Sequence, residues 1–121
     1  ARHISTAVHE LPHKQREGLH LAATIASNLP VFLLGEAGRL LKEQNLDPAL
    51  LLPLWKSAAE RALAMGPEAA LTGPARRGDR KTIDKHLLRL KGERDLRRAY
   101  ALLSRMILKA HGHATDGLED L

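Results

Sequence analysis

The side chains able to do chemistry in this chain are seven histidines and a run of arginines set among glycines; cysteine is absent. Imidazole binds metals and moves protons near neutral pH. His9 and His13 are four residues apart and His111 and His113 two apart, but both pairs lie toward the chain ends. No HExxH and no acidic cluster accompanies them, so no metal site is expected. The lack of cysteine excludes disulfides, thiolate metal centres and a cysteine nucleophile, and it fits a reducing compartment such as the cytoplasm. There is no GxSxG, no P-loop and no GxGxxG. Gly35-Glu36-Ala37-Gly38 lacks both a third glycine and a preceding strand, so no cofactor-binding residue is expected in this chain.

Three polar groupings remain. The first is His20, Thr24, Ser27 and Asn28, which fall near one stripe of a helix whose other residues are apolar. Polar groups on a buried helix need partners, either from the core or from a ligand. The second is Thr72-Gly73-Pro74 with Arg76, Arg77, Gly78 and Asp79. Turn and cap chemistry accounts for Gly73, Pro74 and Asp79. Thr72 and the arginines are left over, and a guanidinium fork suits a carboxylate or phosphate. The third is His86, next to Leu87 and four residues before Leu90; it is either an inward-facing core or contact histidine or a proton-transfer group.

The elements that carry these groups are helices. No window alternates as a strand does. Apolar residues at three- and four-residue spacing (Leu19, Ala22, Ala23, Ala26, Leu33, Leu34, Ala37, Leu40, Leu41) predict a long helix from about Lys14 to Gln44. Pro30 is expected to kink or split it, and Gly35 and Gly38 either weaken it or admit another backbone. Asn45 to Asp47 reads as a turn. Asp47 caps a second helix from Pro48 to about Met65, which Gly66-Pro67 ends. A short turn of helix follows over Pro67 to Leu71, and a loop over Thr72 to Asp79. Asp79 caps a third helix, Arg80 to about Leu90, and a fourth runs from Glu93 to about Ala110 with Leu96, Ala99, Leu103, Met106, Ile107 and Ala110 inward. The expected organisation is an N-terminal arm over 1–13, an all-α bundle over 14–111 and a flexible tail over 112–121.

Between Leu19 and Leu34 the first helix carries no Asp, Glu, Lys or Arg, and its apolar residues surround the cylinder. Such a helix must be covered all round. Three further helices can barely do so, and a second copy across a two-fold axis can, so a homodimer is expected; a central helix of a monomeric bundle is the alternative. No membrane partner is expected, because the longest apolar run, Leu29 to Leu34, is interrupted by Pro30 and falls far short of the ~20 residues a bilayer requires. Residues 76–109 hold twelve basic and four acidic side chains. That excess would suit nucleic acid. Three aromatic residues, Phe32, Trp55 and Tyr100, cannot build a stacking platform, and no reading motif is present.

The stretch LHLAATIASNLPVFLLGEAGRLLKEQNLDP, then GPEAALTGPARRGDRKTIDKHL, then the last amphipathic helix, resembles the helical C-terminal domain of a family of NADP-dependent oxidoreductases. That family is similar to pyrroline-5-carboxylate reductases, ketopantoate reductases and the 6-phosphogluconate dehydrogenase C-terminal-domain superfamily. The resemblance covers roughly Gly18 to Ala110. It implies an N-terminal Rossmann domain that is not in this chain, NADP or NAD bound there, and a dimer built on the first helix. It also implies a substrate cleft on the side of this domain that faces the cofactor domain. His20, Ser27 and Asn28 match the family's His…Ser-Asn. Thr72, Gly73, Pro74, Arg76 or Arg77, Gly78 and Asp79 match its TGP…RGD loop, and His86 matches the histidine after it. Related hydroxyacid dehydrogenases place a proton-donating lysine four residues before the helix asparagine; here that residue is Thr24, so their acid–base step does not transfer. A non-proline residue is expected where Pro30 stands.

The resulting expectation is a dimerisation and substrate-side domain of an NAD(P)-dependent oxidoreductase acting on a small C=O or C=N compound, inactive without its Rossmann domain. His20, Asn28 and His86 are the catalytic candidates, and Ser27, Asn28, Thr72, Gly73, Arg76 and Arg77 the substrate-binding ones. The competing readings are a cofactor-independent helical interaction module and a basic nucleic-acid-binding protein.

Overall fold

The computed structural model describes residues 10–119. The first nine residues of the expected arm, His9 among them, lie outside the described residues. All regular elements among those described are helical. In chain order they are α1 (His13–Ala23), a π turn (Thr24–Asn28), α2 (Leu29–Glu43), a 3-10 turn (Pro48–Leu50), α3 (Leu51–Met65), α4 (Pro67–Ala70), α5 (Pro74–Arg77), α6 (Arg80–Arg89) and α7 (Arg94–Ala110). Contacts divide the chain into two units, with the boundary inside α3 between Ala59 and Glu60.

In the first unit, α1, the π turn and α2 form one uninterrupted helix from His13 to Glu43. Pro30 does not split it. A proline lacks the N–H that would bond one turn back, and its ring crowds the carbonyl there. The helix widens just before it, so that the Leu29 N–H bonds to the Thr24 carbonyl, five residues back. Asn45, in the left-handed conformation at φ 59°, turns the chain after α2, and the Asp47 carboxylate accepts from the Ala49 N–H at 2.9 Å to open the next helix. Gly38 is the buried residue of α2. A Cβ there would lie 3.2 Å from the Pro48 ring, so this glycine lets the two segments close. Gly35 has open space around it. Along α2, Arg39 pairs with Glu36 at 3.2 Å and Glu43 at 3.0 Å.

The most apolar stretch of the His13–Glu43 helix has a mean hydropathy of 1.4, and none of it is buried by the chain. By length and composition this helix could cross a membrane. His20, Thr24, Ser27 and Asn28 are polar but uncharged, so they lower the apolar average without ending the stretch, which runs well beyond Leu29 to Leu34. Leu21, Ile25, Leu29 and Phe32 are all more than half exposed along the helix.

The second unit holds the core. Ala75 from α5, Ile83 and Leu87 from α6, Ala101 and Leu108 from α7, and Leu118 beyond α7 pack together, with Ile83 and Leu108 completely buried. The buried face of α7 runs through Ala101, Ser104 and Leu108 rather than through Leu103 and Met106, which stay exposed. The residues after Gly112 do not all fray: Leu118 is a core residue, and His113 bonds back to α5.

Candidate functional site

The first-unit candidates sit on and beside the π turn. Thr24, Ser27 and Asn28 belong to it, and His20 stands one turn earlier in α1. The Thr24 hydroxyl donates to the His20 carbonyl at 2.9 Å, satisfied within its own helix. His20, Ser27 and Asn28 are exposed, and their side chains take no hydrogen-bond partner among the described residues. They were expected on a helix sheltered on all sides; within the chain they are open instead. π turns are rare and concentrate at functional sites, since they break side-chain register at a chosen point. An apolar groove of about 530 Å³ between α2 and the 3-10 turn, lined by Val31, Leu34, Gly38, Pro48 and Leu52, contains none of these candidates.

The second-unit candidates follow from local chain chemistry. Gly73, at φ 102°, precedes the short helix α5, and Gly78, at φ 71°, follows it; both need the left-handed freedom of glycine. Thr72, Arg76 and Arg77 are exposed. Arg77 approaches the Asp79 carboxylate at 3.5 Å, a loose surface pair worth little by itself. Arg76 presents its guanidinium to solvent while its backbone carbonyl accepts from His113 Nε2 at 3.2 Å. Because a carbonyl only accepts, that nitrogen carries the proton. The His113 ring covers Gly78 so closely that a Cβ there would fall 2.6 Å from Nδ1. The tail thus fixes the arginine loop, a role that the sequence did not signal.

Asp79 caps α6. Its carboxylate accepts from the Thr82 hydroxyl at 2.7 Å and the Thr82 N–H at 3.1 Å, and these bonds hold its pKa below the usual carboxylate value. A depressed carboxylate stabilises the fold above its unfolded pKa, and that contribution is lost as pH falls through the lowered folded value. Asn at this position keeps a capping oxygen but no charge. The gap in thermal midpoint between the wild-type chain and Asp79→Asn is therefore expected to shrink as pH is lowered below about 4. A gap that stays constant down to acid pH would refute this.

His86 is exposed rather than inward-facing. Its Nδ1 lies 2.6 Å from the Tyr100 hydroxyl, and the rings meet edge to face with centroids 5.6 Å apart. Arg97 Nε donates to the Leu87 carbonyl at 3.1 Å beside this pair. Both pairings are nearly symmetric about Gly92-Glu93, the hairpin between α6 and α7. The sequence reading missed Tyr100, because only the folded hairpin shows that position 100 lies opposite 86. Among the described residues no cluster of three or more His, Asp or Glu could hold a metal.

These features define a helical domain whose candidate polar groups stand open on its surface. The chain belongs to the family described as domain of unknown function DUF2520, whose family model matches residues 1–107. Among solved structures it is similar to a crystal structure described as a putative NADP oxidoreductase from Bacteroides fragilis. The identity is 38%, the TM-score is 0.76, and the match covers 79% of this chain. It covers 37% of that longer chain, so the sequence spans little more than a third of the structure it matches. No curated protein matches it significantly. The all-α fold and the likeness to a helical domain of an oxidoreductase hold as read from the sequence.

Proposed function

We propose that this chain is the dimerisation and substrate-side domain of an NADP- or NAD-dependent oxidoreductase that reduces or oxidises a small C=O or C=N compound. One observation carries the reading: a chain described as an NADP oxidoreductase contains a helical unit 38% identical to this one, with a further 63% of its length beyond the match. Hydride chemistry belongs to the nicotinamide, and this domain's part is to hold and orient the substrate. His20, one turn before the π turn, and Ser27 and Asn28 on it are open polar groups suited to a carbonyl and its neighbours. Arg76 offers a guanidinium fork to an anionic substituent beside Thr72 and Gly73. His86 is the remaining proton donor. Thr24, already bonded to a backbone carbonyl, takes no part in acid–base chemistry. The protein works as a homodimer in the cytoplasm, requires no nucleic acid and no membrane, and relies on a Rossmann domain for its cofactor.

The test is NADPH and NADH consumption by the full-length protein against a panel of small 2-keto acids and cyclic imines. Turnover is expected with one member, and none from residues 1–121 alone. A gene whose coding sequence upstream of Ala1 encodes no strand–GxGxxG–helix unit would overturn the reading.

A further inference from the structure

His86 and Tyr100 are the one pair among the described residues that joins an exposed imidazole to an aromatic hydroxyl, at 2.6 Å with the rings edge to face. The direction of that bond follows from the surroundings. Tyr100 is half-buried, and burial pushes its hydroxyl pKa above the usual value of about 10, so the phenol stays protonated throughout the neutral range. A phenol hydroxyl donates far more readily than it accepts, and at 2.6 Å the unprotonated Nδ1 of a neutral imidazole is the acceptor within reach. A neutral imidazole that accepts at Nδ1 must carry its proton on Nε2.

We propose that Tyr100 is a positioning residue for His86: its hydroxyl holds the neutral imidazole as the Nε2–H tautomer and leaves that N–H as a fixed donor toward an oxygen of the substrate. The donor role rests on the oxidoreductase reading above; the tautomer does not. An unrestrained imidazole samples both tautomers and several ring angles, whereas one held by a phenol hydroxyl presents a single donor in a single direction. Preorganised donors of this kind stabilise charge that develops on a carbonyl oxygen as hydride arrives. The Tyr100–His86 pair is built from two helices of one hairpin, α6 and α7.

Two readouts separate the claims. In the 15N-labelled chain at about pH 8.5, where imidazole is neutral, His86 is expected to show a protonated Nε2 and an Nδ1 resonance displaced by an accepted hydrogen bond. Tyr100→Phe is expected to return Nδ1 to the unbonded range and to restore averaging between tautomers. A protonated Nδ1, or identical His86 resonances in the wild-type chain and Tyr100→Phe, overturns the proposal. In the full-length protein, His86→Ala is expected to lower kcat/KM roughly a hundredfold, as loss of a positioned donor does, and Tyr100→Phe roughly tenfold. His86→Gln, whose amide N–H stands near the Nε2 position, is expected to retain more activity than His86→Asn. Equal activity of wild type and Tyr100→Phe refutes the positioning role, whereas a full-length protein without nicotinamide turnover refutes the oxidoreductase reading and leaves the spectroscopic result to stand.

Discussion

Ile25→Glu combined with Leu29→Glu is expected to leave a 13.3 kDa monomer where the wild-type chain, on the dimer proposed above, runs at twice that mass. The physical case begins with exposure. Leu21, Ile25, Leu29 and Phe32 follow one another along the His13–Glu43 helix at 63%, 57%, 53% and 66% exposure. Isolated apolar residues on a surface need no explanation, but a continuous stripe of this size does. Each such side chain contributes about 1.5–3 kcal/mol when fully buried. Little more than half of each surface is left to cover, and each substitution is repeated in both protomers, so losing two of the four removes roughly 3–6 kcal/mol, or about two to four decades in dimer affinity. The glutamates add the cost of burying unpaired charge. The check is light scattering coupled to size exclusion, at micromolar concentration, on wild type and variant. A monomeric wild-type chain overturns the dimer, and co-sedimentation of that monomer with phosphatidylcholine vesicles would assign the stripe to lipid instead, as the length and hydropathy of the helix also permit.

The second large effect concerns the second unit. Leu108 is completely buried among Ala75, Ile83, Leu87, Ala101 and Leu118. Leu108→Ala removes three heavy atoms from a close-packed site that spans α5, α6, α7 and the tail. The expected loss is about 2–5 kcal/mol, the range depending on how far the neighbours close on the cavity. Leu103→Ala, on the open side of the same helix, is expected to change stability by no more than about 0.5 kcal/mol. Urea unfolding followed by far-ultraviolet circular dichroism distinguishes them, with the midpoint displaced in the first variant and unmoved in the second. If Leu103→Ala proves as costly as Leu108→Ala, the exposed face of α7 is itself covered in solution, and the orientation derived from its periodicity regains support.

The periodicity of α7 shows where reading from the sequence runs out. Two faces of this helix are apolar enough to be inward. Leu96, Ala99, Leu103 and Met106 carry more apolar surface in total than Ala101, Ser104 and Leu108. The structure buries Ala101, Ser104 and Leu108 instead. Small residues at 101 and 104 let α7 approach its neighbours closely, and a hydrophobicity sum undervalues that. Pro30 is similar. The rule that proline interrupts a helix is sound, but the chain meets it by widening one turn, and no local signal announces a π turn. His86 was legible as a candidate, and its partner was not, because fourteen residues separate them and only the hairpin about Gly92-Glu93 brings them together.

What the sequence by itself determined were the helices, their caps and their ends. Spacing at 3.6 residues, Asp47 and Asp79 at helix starts, and glycines at positive φ are local properties, decided within a few residues of where they act. It also determined the family, through blocks that match residue by residue. Tertiary structure alone decided which face of α7 is buried, that His113 and Leu118 fold back onto the second unit, and that Tyr100 meets His86. Each of these joins residues well apart in the chain, and their pairing depends on how side-chain volumes fit together, a quantity that no single segment carries.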